Sequence, residues 1–205
     1  MKLHSFTSHT PEEKRRLSNL GHIVVGALLA AVGVLALLRN LGGIAWTSTT
    51  WPILILVAGL LLLFLIYPRH PLSEWALIWR DAQQREHTIM AVAISVAGAA
   101  ELLRGSLPAL GYVFPAAILL IGGLFIVHEQ HGTSEAATKA VRQHRILGVT
   151  VIIAGLLRVI EVVTGTELLA ILWPLALLTA AVQLLIYREP EGAYEAEGGH
   201  GGHSL

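Results

Sequence analysis

The chain has 205 residues, of which 54% are apolar and only 14% charged, with acidic and basic residues equal in number. A mean hydropathy of +0.65 is too high for an ordinary soluble domain. Zero net charge offers no electrostatic footprint for nucleic acid, and the absence of cysteine excludes disulfides, thiolate metal sites and thiol redox chemistry.

Residues 1–19 form a charged, amphipathic leader that ends in PEEKRR. No small-residue cleavage site follows it, so the first apolar run reads as a retained span rather than a signal peptide. Apolar runs recur at 20–38, 52–67, 88–103, 109–127, 146–163 and 168–187. Each approaches the roughly 20 residues that a spanning helix needs. The predicted fold is therefore all-α, a polytopic membrane protein of six transmembrane helices.

Hairpin 1 occupies 20–69 and hairpin 2 occupies 87–131. Between them, residues 70–86 open with Pro71 and place Trp75 and Trp79 at i, i+4, which fits an interfacial amphipathic helix or a helical stub packed on the bundle. Residues 132–188 hold a cytoplasmic helical extension and hairpin 3, with Thr133 or Ser134 as a cap for the extended fifth span. The tail 189–205, EPEGAYEAEGGHGGHSL, has too little apolar content to pack and is expected to be disordered. Lys2, Lys14, Arg15, Arg16, Arg69, Arg80, Arg85, Lys139, Arg142, Arg145 and Arg188 all fall on the side that holds both termini, against Arg39 and Arg104 in the opposite links. The positive-inside rule then places both termini in the cytoplasm.

Internal repetition is visible at fixed offsets. His22, His87 and His144 each open an odd-numbered span, and each is followed eleven residues later by a glycine: Gly33, Gly98 and Gly155. The even spans begin WPILILVAG, FPAAILLIG and WPLALLTAA, an aromatic-proline pair with a small residue seven positions past the proline. Proline suits a first helical turn, which has no internal hydrogen bond to lose, and the aromatic is expected in an interfacial belt. The pattern predicts three tandem hairpins with short periplasmic links and pseudo-threefold packing.

The repeat also organises the charges within the spans. Glu101 and Arg158 stand fourteen residues after His87 and His144, and Arg104 and Glu161 stand seventeen after the same histidines. With the third and fifth spans side by side, Glu101 would pair with Arg158 and Arg104 with Glu161, beside an i, i+3 pair within each helix. Charges inside a span cost a few kcal/mol each and are usually partnered. No further buried Asp, Glu or His continues a relay across the membrane, so the four read as a structural clasp rather than an ion or proton path. Ala36 and Arg39 occupy the matching positions of the first hairpin.

All ten histidines fall on the predicted cytoplasmic side. His87, His128 and His131 form one candidate metal set, the last two sharing a helix face in HEQH, with His22, His70 and His144 as candidates for a wider cluster and Glu86 or Glu129 as carboxylate donors. Neutral imidazoles suit Zn²⁺, Cu(II) or Ni²⁺, whereas the lack of cysteine and the presence of only Met1 and Met90 argue against Cu(I). Haem fits less well, because it needs two histidines facing each other across the bundle and these lie at its edge. The alternative is that interfacial histidines cap helices or meet headgroups.

Residues 26–64, GALLAAVGVLALLRNLGGIAWTSTTWPILILVAGLLLLF, resemble the two-helix membrane module of bacterial Lia-type and phage-shock-associated envelope-stress proteins, in a GxxLxxxGxxxLL helix followed by WPxxLIxxGLxLL. WPLALLTAAVQLLIY and FPAAILLIGGLFIV match more loosely, and the triplicated hairpin is similar to HdeD-like acid-resistance membrane proteins. These resemblances imply a non-enzymatic bacterial membrane protein linked to envelope stress. No Ser-His-Asp set, phosphate-binding glycine loop or paired carboxylates in a cavity occurs in the sequence. The expected role is scaffold, sensor or subunit of a membrane complex, with the bilayer and other membrane subunits or a second copy as partners. A metal-binding protein is the alternative. A transporter would need a polar path, and the spans supply only Ser95, Thr150, Thr179 and Gln183 besides the clasp.

Overall fold

The computed structural model describes residues 10–66, 82–127 and 134–191, and these contain six α-helices and no strand. In chain order they are α1 (Pro11–Gly42), α2 (Thr47–Ile66), α3 (Ala82–Leu103), α4 (Val113–Val127), α5 (Glu135–Thr164) and α6 (Glu167–Ile186), with a 3₁₀ turn at Pro108–Tyr112 leading into α4. All six spans are long and apolar enough to cross a membrane, the 3₁₀ turn included in the fourth.

Local sequence explains where the helices start and stop. Thr10 and Glu13 form a reciprocal cap: the Glu13 N–H donates to Thr10 Oγ1 and the Thr10 N–H to Glu13 Oε2. PEEKRR is therefore the first turns of the membrane helix, and α1 at 32 residues runs about 48 Å at 1.5 Å per residue, longer than a bilayer core. Ser134 caps α5, its Oγ accepting from the Ala137 N–H, and gives a 30-residue fifth helix. Helices α1 and α5 both end on a left-handed glycine, Gly43 (φ 60°) and Gly165 (φ 68°), whose N–H groups donate to Arg39 O and Glu161 O. Each glycine lies twenty-one residues beyond its opening histidine. At that offset the second hairpin has Pro108, which cannot donate this bond, and its link is the longer one, built on the 3₁₀ turn.

Two sequence expectations about the even helices are corrected. Pro52 and Pro174 lie inside α2 and α6 rather than in their first turns. A helical proline leaves the carbonyl four residues earlier without its donor. In α6 that carbonyl is Ala170 O, and the Asn40 side chain of α1 donates to it instead. The aromatics before the prolines are also not an interfacial belt: Trp51, Phe114 and Trp173 are 1%, 4% and 0% exposed.

The helices close into a ring in chain order, each packed on its two sequence neighbours, with α6 returning to α1. The tightest packing joins successive hairpins: α2 with α3, α4 with α5, and α6 with α1. Gly98 of α3 lies so close to α2 that a Cβ there would sit 2.8 Å from Leu56 Cα, and Cβ atoms at Gly33 and Gly155 would fall 2.8 Å from Leu178 of α6 and Leu119 of α4. Each of these leucines is four residues past its proline. The small residues seven past the prolines, Gly59, Gly122 and Ala181, meet Ala91, Gly148 and Gly26 in turn, four residues past the opening histidines. Small residues at both crossings let antiparallel helices approach closely where lipid supplies no hydrophobic drive.

The core combines Val32, Ala36, Ile55, Ala97, Ile118, Val151, Ala154 and Leu177 with the three aromatics. The outer surface is apolar: Ile146, Val149, Ile153, Leu156, Ile160 and Val163 form an exposed stripe along α5. Two boundaries differ from the sequence reading. Helix α3 begins at Ala82, so the last residues of the 70–86 segment run into the third span; Trp75 and Trp79 lie outside the described residues. At the other end, residues 189–191 pack against α1 rather than starting a disordered tail, and Glu189 is buried.

Candidate functional site

The chain forms two polar centres at opposite ends of the ring. The first lies near the links between helices 1 and 2, 3 and 4, and 5 and 6. Here Trp51 of α2, Phe114 of α4 and Trp173 of α6 form a triangle, with ring centroids 5.3, 5.7 and 6.0 Å apart and tilted or edge-on planes. Edge-on contact sets the positive rim of one ring against the negative face of another.

Arg158 enters this centre from the inner face of α5, on the same side as Val151, Ala154 and Gly155. Its guanidinium carbon lies 5.0 Å from the centroid of the Trp173 ring. One terminal nitrogen donates to Glu161, three residues on, and the other lies 3.3 Å from Glu101 Oε1 of α3. The side chains of Arg158 and Glu101 are 2% and 3% exposed. A rigid fork of donors lets one arginine bind two carboxylates and stack on an indole together.

Three of the four expected contacts are present: Glu101 pairs with Arg158, and each helix holds its i, i+3 pair, Glu101–Arg104 at 3.5 Å and Arg158–Glu161, whereas no Arg104–Glu161 pair occurs among the described residues. The cause is the ring. Helix α4 stands between α3 and α5, which are not side by side, and the long Arg158 side chain reaches across the interior to Glu101. Arg39, the matching residue of the first hairpin, lies within electrostatic range of Glu101, Arg104, Arg158 and Glu161.

The second centre lies at the end holding residues 10 and 191. The His22 and His144 ring centroids are 5.6 Å apart, and Tyr187 packs on both at 4.4 and 5.2 Å. Both histidines are oriented the same way: Nδ1–H donates to the carbonyl four residues earlier, Ser18 O at 2.7 Å and Ala140 O at 2.9 Å. In a neutral ring this places the lone pair on Nε2. Glu189 organises the surroundings. Its Oε2 accepts from Ser18 Oγ at 2.9 Å and from the Tyr187 hydroxyl at 3.0 Å, and its N–H donates to Asn19 Oδ1 at 2.8 Å. Arg15 reaches Glu191 at 2.9 Å.

Of the candidate metal ligands, His22 and His144 are therefore brought together, while His87 is half-buried on α3. His70, His128 and His131 lie outside the described residues. No group of three or more His, Cys, Asp or Glu side chains placed to hold a metal ion occurs among the described residues. Sequence reasoning missed Tyr187 and Glu189, since a tyrosine closing an apolar run reads as any interfacial aromatic and a glutamate beyond it as tail. Chemically, the link end can hold charge out of water, and the terminal end can exchange protons or bind through imidazole. Comparison with models of protein families and with curated proteins finds no match in either.

Proposed function

We propose that the chain is a bacterial inner-membrane protein with both termini in the cytoplasm, built as three copies of one hairpin about a pseudo-threefold axis, and that it works as scaffold, sensor or subunit of a membrane complex rather than as a catalyst. The observation that carries this reading is how the interior is filled. Packed aliphatic side chains and an aromatic triangle occupy the centre of the ring, and the deepest charges are engaged with each other. A protein that moved solutes or turned over a substrate would need polar surface facing a cavity.

Support for the threefold reading comes from the equal offsets of the glycines and leucines at the three junctions between hairpins. The likeness of residues 26–64 to the Lia-type and phage-shock-associated module ties the role to envelope stress. In mild detergent, light scattering coupled to size-exclusion chromatography should give a protein mass above the chain's own 22.0 kDa. A single-chain mass in every mild detergent would defeat the assembly reading. Reporter fusions at Leu205 and at Gly105 should report cytoplasm and periplasm respectively, and the opposite pattern would reverse the topology.

A second reading, transition-metal binding, is favoured by the paired His22 and His144 rings, each steered by an Nδ1–H bond of the kind that orients metal-bound histidine. Zn, Cu(II) or Ni would then be found by elemental analysis of untagged protein, and His22→Ala with His144→Ala should remove it. Metal-free protein would end this reading.

A further inference from the structure

We propose that the link-end centre binds a monovalent anion of the chloride class, held by Arg158 Nε–H and the indole N–H groups of Trp51 and Trp173. These three donors have no hydrogen-bond partner among the described residues, and their residues are 2%, 1% and 0% exposed. They belong to one cluster: the two indoles are 6.0 Å apart between centroids, and the Arg158 guanidinium lies over the Trp173 ring. A buried donor left unpaired is costly, so three within one side-chain cluster call for an acceptor.

Charge selects which acceptor. Arg158 pairs with Glu101 and Glu161, Arg104 pairs with Glu101, and Arg39 lies within electrostatic range of all four, so three guanidinium groups share two carboxylates within this set. Water would accept from the donors without balancing the third guanidinium, whereas one small anion does both. A larger oxyanion would demand more donors than these three nitrogens. The site is independent of whether the protein acts as scaffold, sensor or metal binder.

The test compares melting temperatures of the detergent-purified full chain in sodium chloride and in sodium gluconate at equal ionic strength. At chloride about one hundred times its Kd, the wild type should melt roughly 5–10 °C higher in chloride. Trp51→Phe with Trp173→Phe keeps the rings, removes both indole donors and should abolish that difference. Equal melting of the wild type in both salts would overturn the proposal and leave water as the acceptor. A full chloride response in the double variant would overturn the assignment of the site. If the double variant does not fold, bromide anomalous scattering from wild-type crystals decides: a peak within hydrogen-bond distance of Arg158 Nε supports the site, and its absence there rejects it.

Discussion

The two ends of the ring use the same sequence offsets to opposite effect. At the link end, the residues fourteen past the histidines are Ala36, Glu101 and Arg158, which differ in charge, and the last two meet in the dry interior. At the terminal end the same offset holds a histidine in all three hairpins, and the rings of His22 and His144 pack against Tyr187, where the segment after α6 folds back over α1. A buried ion pair that loses one partner leaves charge poorly compensated, whereas a hydrogen-bonded cluster loses less when one of its bonds is removed. The first end should therefore dominate stability.

The largest expected effect follows from removing one partner of the buried pair. Arg158→Ala leaves Glu101 only its longer contact with the partly exposed Arg104, takes Glu161's partner away, and should cost about 3–5 kcal/mol in reversible unfolding from detergent. Arg158→Glu should be at least as damaging, with partial recovery when Glu101→Arg is added. Lack of recovery would mean that the contact at 3.3 Å is not the main interaction of Glu101.

Next come the glycines at the junctions between hairpins. Gly98→Ala pushes a methyl against the backbone of Leu56 and should cost about 1–3 kcal/mol. Gly33→Ala meets the Leu178 side chain, which can move aside, and should cost less. Equal melting shifts for the two variants would contradict this difference between rigid and yielding contacts.

At the terminal end, Glu189→Ala removes two accepted hydrogen bonds and should cost about 1–2 kcal/mol. A loss matching that of Arg158→Ala would erase the contrast between the two ends. Smallest of all is Arg15→Ala: its partner Glu191 is 90% exposed, so the change in stability should stay below about 1 kcal/mol and shrink further in high salt.

Particular residues show why some features could be read from the chain and others could not. Six spans, the extended fifth helix and its Ser134 cap follow from runs of apolar residues and local hydrogen bonding, which neighbours in sequence decide. The Glu101–Arg158 pair was foreseeable because two opposite charges at equal depth have few other partners. The Arg104–Glu161 pair does not form because depth says nothing about which helix stands between two others, while the local Glu101–Arg104 pair does. Trp51 and Trp173 were placed at the lipid interface for a related reason: an indole at the edge of a span has the same local sequence whether it faces headgroups or a core.

The sequence by itself determined the helices, their lengths and the offsets at which small residues recur, since these depend on hydropathy, capping and residue volume along one chain. Only the tertiary structure decided that the ring closes through α1 and α6, that three aromatics meet inside it, that Arg158 crosses to Glu101, and that Glu189 folds back onto Ser18 and Asn19. Each of those contacts joins residues far apart in the chain, and which faces turn inward depends on how all six helices fill space together.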